Sequence, residues 1–266
     1  MLTKTESSLS SIQSSRHSNI RYLRFAELAL RAKLAIAWEI FRLQARIIFS
    51  HKFLWFMAGL LIYWIVVYAI NYNQEMLDRM SVEEVLPLLL QMPLSALAIY
   101  LNMQLITSEK DNRTLEVMFT TAGSRYKVWL LRLGALNAIL LILAVVLSTL
   151  AFFTITEVPI LPLAVHGFVP AFFVGAMTLY FAIKFRSSLA AGMVSAGVIF
   201  VAMMLFNGLE APRYFIYFNP YDMPRQLDPE TWNLWMWQNR IGVLCCGVFL
   251  LFTALRGMEE RERLLR

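Results

Sequence analysis

Long apolar stretches alternate with short polar segments along most of the chain. Six stretches, most of them about 20 residues or longer, contain no Asp, Glu, Lys or Arg, and about 20 apolar residues suffice for a helix to cross a bilayer core. Their approximate limits are Phe53 to Tyr72, Val85 to Ile106, Leu133 to Ile155, Leu161 to Ile183, Ser187 to Asn207 and Ile241 to Leu255. The last stretch is short, so its helix either begins before Arg240 or crosses a locally thinned bilayer. The pattern predicts an all-α membrane protein with six transmembrane helices.

An amphipathic segment precedes the first of these stretches. Between residues 20 and 50, charged side chains recur near one helical face and apolar side chains near the other. The charged positions are Arg24, Glu27, Arg31, Glu39, Arg42 and Arg46. We expect a cytoplasmic elbow helix over residues 20–52 that lies in the membrane interface and leads into the first span. The alternative is a helix of a small cytoplasmic domain, but about 30 residues are few for a domain core.

The polar segments complete the predicted organisation. Residues 1–19 form a Ser-rich tail without the apolar core of a signal peptide. The transmembrane domain covers residues 53–256, and residues 257–266 form a charged tail. Within the domain, the outer segment 208–240 interleaves four prolines with Tyr and Trp residues. Prolines stop helices and aromatic rings favour the headgroup level, so this segment is expected to be partly re-entrant or to lie on the membrane surface.

The distribution of basic residues predicts the orientation. Lys and Arg number 20 on one set of alternating segments and 4 on the other, whereas acidic residues divide 9 and 9. Because basic residues mark the cytoplasmic side, both termini are expected in the cytoplasm. The membrane is expected to be the plasma membrane, which in a bacterium is the inner membrane. The 59% hydrophobic content excludes a soluble globule and a disordered chain. The net charge of +6 is sorted by loop, so nucleic acid is not an expected partner.

The residue patterns of common catalytic sites are missing from the sequence. His17, His51 and His166 lie far apart, and neither a metal-binding HExxH nor a nucleophilic GxSxG pattern occurs. Cys245 and Cys246 are adjacent in an apolar run, where burial as small apolar groups is the simplest interpretation. No phosphate-binding GxxxxGK[ST] loop is present. We therefore expect no enzyme activity, no metal site and no cofactor in this chain, and any use of ATP must involve a partner.

The loop between the second and third spans, residues 107–132, has more structure than a simple tether. Acidic and basic residues alternate in its first half, and Thr114 can cap a short helix with an apolar face. The charged and capping positions are Glu109, Lys110, Asp111, Arg113, Thr114 and Glu116. Gly123 then ends the helix, and basic residues lead into the third span. The positive-inside rule accounts for the basic residues of this loop but not for its acidic ones.

In the order of these features the sequence resembles the type-2 permeases of ATP-binding-cassette exporters. Their pattern has a glutamate after the second span, a Gly-Thr-x-Glu-like turn, a short helix ending at Pro or Gly, and a basic residue opening the third span. The matching residues here are Glu109, Thr114, Glu116, Gly123 and Arg132. Arg113 departs from the pattern where glycine is usual, and Gly123 departs where proline is common. The elbow, the six spans and Asn219-Pro220 in the last outer loop extend the resemblance over nearly the whole chain.

The resemblance implies a membrane subunit that forms the substrate pathway as a dimer, with a second copy or a related chain. It implies docking of a separate ATPase subunit, which binds ATP and Mg²⁺, on loop 107–132 and on Glu39, Arg42 and Arg46 of the elbow. An accessory protein outside the membrane is compatible with this arrangement. Candidates for lining the pathway are Gln91, Ser95, Asn102 and Asn207, although hydrogen bonding between helices is an alternative role for each. The competing hypothesis is a membrane scaffold or assembly factor without transport activity.

Overall fold

The structure, a computed structural model, describes nine ranges of the chain. They are residues 30–31, 34–35, 38–39, 41–42, 51–74, 80–112, 125–185, 187–208 and 212–263. Side chains are described for 30–31, 34–35, 38–39, 41–42, 53–74, 80–106, 129–185, 187–206 and 213–257. The chain divides into a unit Met1–Ile40 and a unit Phe41–Arg266. In the first unit the described residues are helical, and their side chains, including Leu30, Leu34 and Trp38, are exposed.

The second unit consists of helices joined by short connections, and no strand occurs in its described residues. The main helices are α1 (His51–Asn73), α2 (Val82–Val85), α3 (Met92–Asn112), α4 (Arg125–Thr154), α5 (Ile160–Phe185), α6 (Ser188–Gly208) and α7 (Pro229–Arg263). A π-helical turn, Leu86–Gln91, joins α2 to α3, so that all three form one continuous rod. A short 3₁₀ turn, Pro212–Tyr214, and further turns lie between α6 and α7.

Six helices are long and apolar enough to cross a membrane, as the sequence pattern predicted. Their apolar spans are Phe53–Asn73, Val82–Ile106, Trp129–Thr154, Ile160–Phe185, Ser188–Phe206 and Pro229–Gly257. The first five agree with the predicted spans within a few residues. The sixth helix begins at Pro229 and passes through Arg240, so its short apolar stretch is completed by residues before Arg240, one of the two predicted alternatives. The other charged residues of these longer spans lie near the span ends, whereas Arg240 lies well inside the sixth, which the sequence pattern did not predict.

Helix α5 lies at the centre of the bundle and packs against α3, α4, α6 and α7. Gly167, Ala171 and Gly175 recur every four residues along one of its faces, so this face carries almost no side-chain bulk. A Cβ atom on Gly167 would lie 3.0 Å from the Cβ of Leu90, and one on Gly175 would lie 2.7 Å from the Nδ2 of Asn102. Small residues at this spacing allow two membrane helices to approach closely, which explains the contact between α5 and the second span.

The π-helical turn of the second span provides an attachment point for α1. The N–H of Met92 donates to the carbonyl of Pro87, one residue further back than in an α-helix. Because Pro93 has no N–H, the carbonyl of Leu88 loses both of its usual backbone donors. The hydroxyl of Tyr63 on α1 donates to this carbonyl at 2.9 Å. The phenyl ring of Phe56 stacks on that of Tyr100, with 5.4 Å between ring centroids, and adds a second contact between the two spans.

Candidate functional site: a buried polar cluster beneath the outer segment

A buried arginine lies where the first part of α7 meets α5 and the outer segment. The side chain of Arg240 is only 4% exposed. Its Nε donates to Nδ1 of His166 at 3.1 Å, and one terminal nitrogen donates to the carbonyl of Phe218 at 2.7 Å. A longer bond of 3.4 Å joins the other terminal nitrogen to Oδ1 of Asn239. These neutral acceptors compensate the desolvated guanidinium, and no carboxylate in the described part of the chain pairs with it.

Gln91 links this cluster to the second span. It is fully buried, and its Nε2 lies 3.5 Å from the carbonyl of His166 and 3.4 Å from that of Phe218. The carbonyl of His166 is free to accept because Pro170, four residues later in α5, has no N–H to donate. In membrane helices such freed carbonyls are satisfied by side chains of neighbouring helices. Gln91 and Arg240 thus bind the same carbonyl of the outer segment from two different spans.

Further bonds attach the rest of the outer segment to the helix ends. Nδ2 of Asn239 donates to the carbonyls of Arg213 and Phe215, each at 2.9 Å. Nδ2 of Asn219 donates to the carbonyl of Glu83 at 2.6 Å, and the indole N–H of Trp232 donates to the carbonyl of Pro220 at 2.8 Å. The Phe218 ring lies against that of Trp232, with 4.7 Å between centroids. The outer segment is therefore fixed to α2 and α7 by directed contacts.

Two tyrosines of the outer segment are shielded from water at this site. Burial raises the pKa of Tyr217 to about 12, and the nearby Ser95 hydroxyl opposes this increase. Burial also raises the pKa of Tyr221, and the nearby Arg240 charge opposes this increase. The Tyr221 ring meets the His166 ring edge to face, with centroids 6.1 Å apart. Both phenols stay protonated at physiological pH, so neither supplies a negative charge that would neutralise Arg240.

Three of the four candidate pathway residues are buried in the bundle. Gln91, Ser95 and Asn102 are at most 3% exposed. Gln91 contributes to the polar cluster, Ser95 interacts with Tyr217, and Asn102 donates to the carbonyl of Ala98 in its own helix at 2.8 Å. The side chain of Asn207 lies outside the described residues.

The structure describes only some of the predicted docking residues. Helix α3 continues beyond its apolar span through Glu109, Lys110 and Asp111, whose side chains lie outside the described residues. Glu39 and Arg42 are helical and exposed. Arg46, Arg113, Thr114 and Glu116 lie outside the described ranges.

Sequence reasoning missed the pairing of Arg240 with His166. In the sequence His166 is an isolated histidine, and Arg240 directly precedes the apolar stretch of the last span. A local signal was available, because the Asn239-Arg240 pair directly precedes an uninterrupted apolar run. The partners could not be inferred, since 74 residues separate Arg240 from His166.

Arg240 gives this site a buried positive charge, and the hydrogen bonds around it fix the outer segment to the helices. The described side chains of the site do not form a pattern typical of a catalytic or metal site. Among the described residues, no group of three or more His, Cys, Asp or Glu side chains is placed to hold a metal ion. Comparisons with known protein families, with curated proteins and with solved structures find no match to this chain.

Proposed function

We propose that this chain is the membrane-spanning permease subunit of an ATP-driven exporter of the ATP-binding-cassette type-2 kind. The observation that carries the proposal is the sequence of loop 107–132, where alternating charges, a candidate helix cap at Thr114 and Gly123 follow one another in the order expected for a coupling element. If all six apolar helices cross the membrane, this loop lies on the same side as both chain ends. A separate ATPase subunit would dock there, and its ATP-driven closure would act on the bundle through the loop.

The course of the helices around this loop supports a projecting element. The second span predicted from the sequence ends at Ile106, but helix α3 continues to Asn112, about 9 Å further at the usual rise per residue. Helix α4 begins at Arg125, before the third span predicted from the sequence begins at Leu133. A helical extension could transmit a push from a docked partner into the second and third spans.

The finer architecture belongs to the same proposal. The exposed stripe Leu30, Leu34 and Trp38, with a spacing of four residues, suits an elbow helix whose apolar side lies in the membrane interface. The outer segment, attached by Asn219 and Asn239, would form the partly re-entrant cap of the bundle. The 20 to 4 distribution of basic residues assigns the elbow, the loop 107–132 and both termini to the cytoplasm.

The test is affinity purification of the tagged chain from its native membrane in mild detergent. Wild type is compared with a double variant, Glu109→Arg and Glu116→Arg, and co-purifying proteins are identified and assayed for ATP hydrolysis. We expect an ATPase subunit with the wild type and its loss with the double variant. Glu157→Arg is the matched control, because Glu157 is an exposed acidic residue in the opposite set of loops. Absence of any ATPase from the wild-type preparation in several detergents would overturn the proposal and favour a scaffold.

A further inference from the structure

A cavity of about 400 Å³ opens between α7, α5 and the outer segment. Its walls are mostly apolar, and they include Phe173, Ile216, Val243 and Cys246, while Arg213 lies at its polar end. This volume lies in the range of ligand sites, which combine apolar walls with a few placed polar groups. The cavity adjoins the Arg240 cluster at Asn239, but Arg240 and His166 do not line it.

Two glycines of α7 produce this opening. A Cβ atom on Gly247 would lie 2.7 Å from the Phe172 ring, so α7 touches α5 at that level. Five residues earlier, a Cβ atom on Gly242 would meet nothing within 4 Å. The helices are therefore in contact at Gly247, and the missing side chain at Gly242 leaves the space open.

The polar end of the cavity carries the positive charge of Arg213. The Arg213 guanidinium carbon lies 5.4 Å from the Tyr214 ring centroid and 5.8 Å from the Trp235 ring centroid. One terminal nitrogen of Arg213 donates to Oε1 of Gln238. Within the described residues no carboxylate pairs with Arg213, so donors of this half-buried guanidinium remain for an anion.

Exposed aromatic residues around Arg213 indicate that its charge lies at the level of the lipid headgroups. Tyr214 and Trp237, which surround the same end of α7, are 68% and 62% exposed, as expected for aromatic residues at a membrane interface. From Gln238 at the polar end to Cys246 in the apolar span, α7 rises about 12 Å. The opening is thus charged at headgroup level and apolar at acyl-chain depth.

We propose that this cavity binds an anionic phospholipid of the surrounding leaflet, with one acyl chain between α7 and α5 and the phosphate on Arg213. Arg213 matches the lipid in charge, since guanidinium groups bind phosphate through paired N–H donors. The apolar walls of the cavity match the acyl chain of the lipid. A zwitterionic lipid has a compensating positive charge in its headgroup and is bound less tightly.

The test uses the full chain in phosphatidylcholine vesicles that contain a photoactivatable phosphatidylglycerol with a diazirine on its acyl chain. Crosslinked peptides are identified by mass spectrometry. We expect labelling of the α7 peptide around Val243 and Cys246, and about fivefold weaker labelling when the probe is a phosphatidylcholine. Arg213→Gln reduces labelling by phosphatidylglycerol by about the same factor and leaves labelling by phosphatidylcholine unchanged.

A space-filling variant tests the position of the acyl chain. Gly242→Phe places a ring in the open space and abolishes labelling of this peptide, whereas Gly134→Phe, at another glycine with open surroundings, leaves it intact.

The two natural cysteines give a measurement that needs no change in the cavity. Both cysteines are exposed, but Cys246 lines the cavity and Cys245 does not. In chains carrying Cys245→Ser, phosphatidylglycerol slows the reaction of Cys246 with a membrane-permeant maleimide, while in chains carrying Cys246→Ser the reaction of Cys245 is unaffected.

Three results would overturn the proposal. Equal labelling by the two lipid probes refutes the anionic headgroup, and labelling that survives Gly242→Phe refutes the cavity. Equal reactivity of the two cysteines with and without phosphatidylglycerol refutes occupancy in the unmodified cavity. These results do not depend on whether an ATPase partner binds the chain.

Discussion

Arg240 shows how a single residue can hold an irregular segment against a helical bundle. Its charge is buried, and burial of a charge is tolerated only when neighbouring groups satisfy its donors. Here the acceptors are His166, Asn239 and the carbonyl of Phe218, all neutral. The attachment therefore depends on the planar shape of the guanidinium, which reaches α5 and the outer segment at the same time.

Replacement of Arg240 by Gln should destabilise the protein and loosen the outer segment. A glutamine can replace the bond to Phe218 but leaves Nδ1 of His166 without its donor, so we expect a loss of about 2 kcal/mol. Unfolding in mixed detergent micelles measures the loss, and faster proteolysis within residues 212–228 reports the loosening. Arg225→Gln, at an exposed arginine of the same segment, should change stability by less than about 0.5 kcal/mol. Equal stability of the two variants would show that Arg240 does not hold the segment.

Tyr63 is a second residue whose role can be tested by removing one atom. Tyr63→Phe removes the donor to the Leu88 carbonyl, which the proline-induced π turn has deprived of its backbone donors. We expect a loss of about 1 kcal/mol, the usual size of such a bond between membrane helices. Tyr72→Phe, at an exposed tyrosine near the end of the same helix, is the control and should have no measurable effect in the same unfolding experiment.

At the scale of elements, the sequence predicts the existence of the helices better than their ends and partners. Five spans were found within a few residues because a run of apolar residues is a local property. For the sixth, the short apolar run leaves two alternatives, and the sequence cannot choose between them because the acceptors of Arg240 come from distant parts of the chain. The central position of α5 also escaped prediction, although Gly167, Ala171 and Gly175 carry the spacing of a close-contact face.

The close contact of α5 with the second span predicts sensitivity to a single methyl group. Gly175→Ala would place a Cβ 2.7 Å from Nδ2 of Asn102, which is buried and already bonded to the Ala98 carbonyl. We expect a loss of about 1–3 kcal/mol, the usual cost of overpacking. Gly134→Ala, where the added methyl meets nothing within 4 Å, should be neutral or stabilise the helix by up to about 1 kcal/mol.

A double variant shows whether the loss comes from this contact. Combining Gly175→Ala with Asn102→Ala removes the obstructing amide, so the combined loss should be smaller than the sum of the two single losses. Strict additivity in unfolding experiments would mean that Gly175 and Asn102 do not constrain each other.

For the whole molecule, an even number of spans predicts that both chain ends share one side of the membrane, and the distribution of basic residues predicts that this side is the cytoplasm. The segments expected on that side carry 20 of the 24 Lys and Arg residues. In this prediction Glu157 and Asp222, both exposed, belong to the opposite side. The position of the Arg240 cluster and of the cavity at Arg213 relative to the membrane follows from this orientation.

Labelling of single cysteines in intact cells tests this orientation. With Cys245 and Cys246 replaced by Ser, a membrane-impermeant maleimide should label Glu157→Cys and Asp222→Cys before lysis and Ser7→Cys only after it. Labelling of Ser7→Cys in intact cells would invert the topology and expose loop 107–132 outside the cell, where no ATP-driven partner could dock. Labelling of Glu157→Cys without Asp222→Cys would instead break the even span count, because the two positions would then lie on opposite sides of a bundle in which α5 and α6 no longer both cross the membrane.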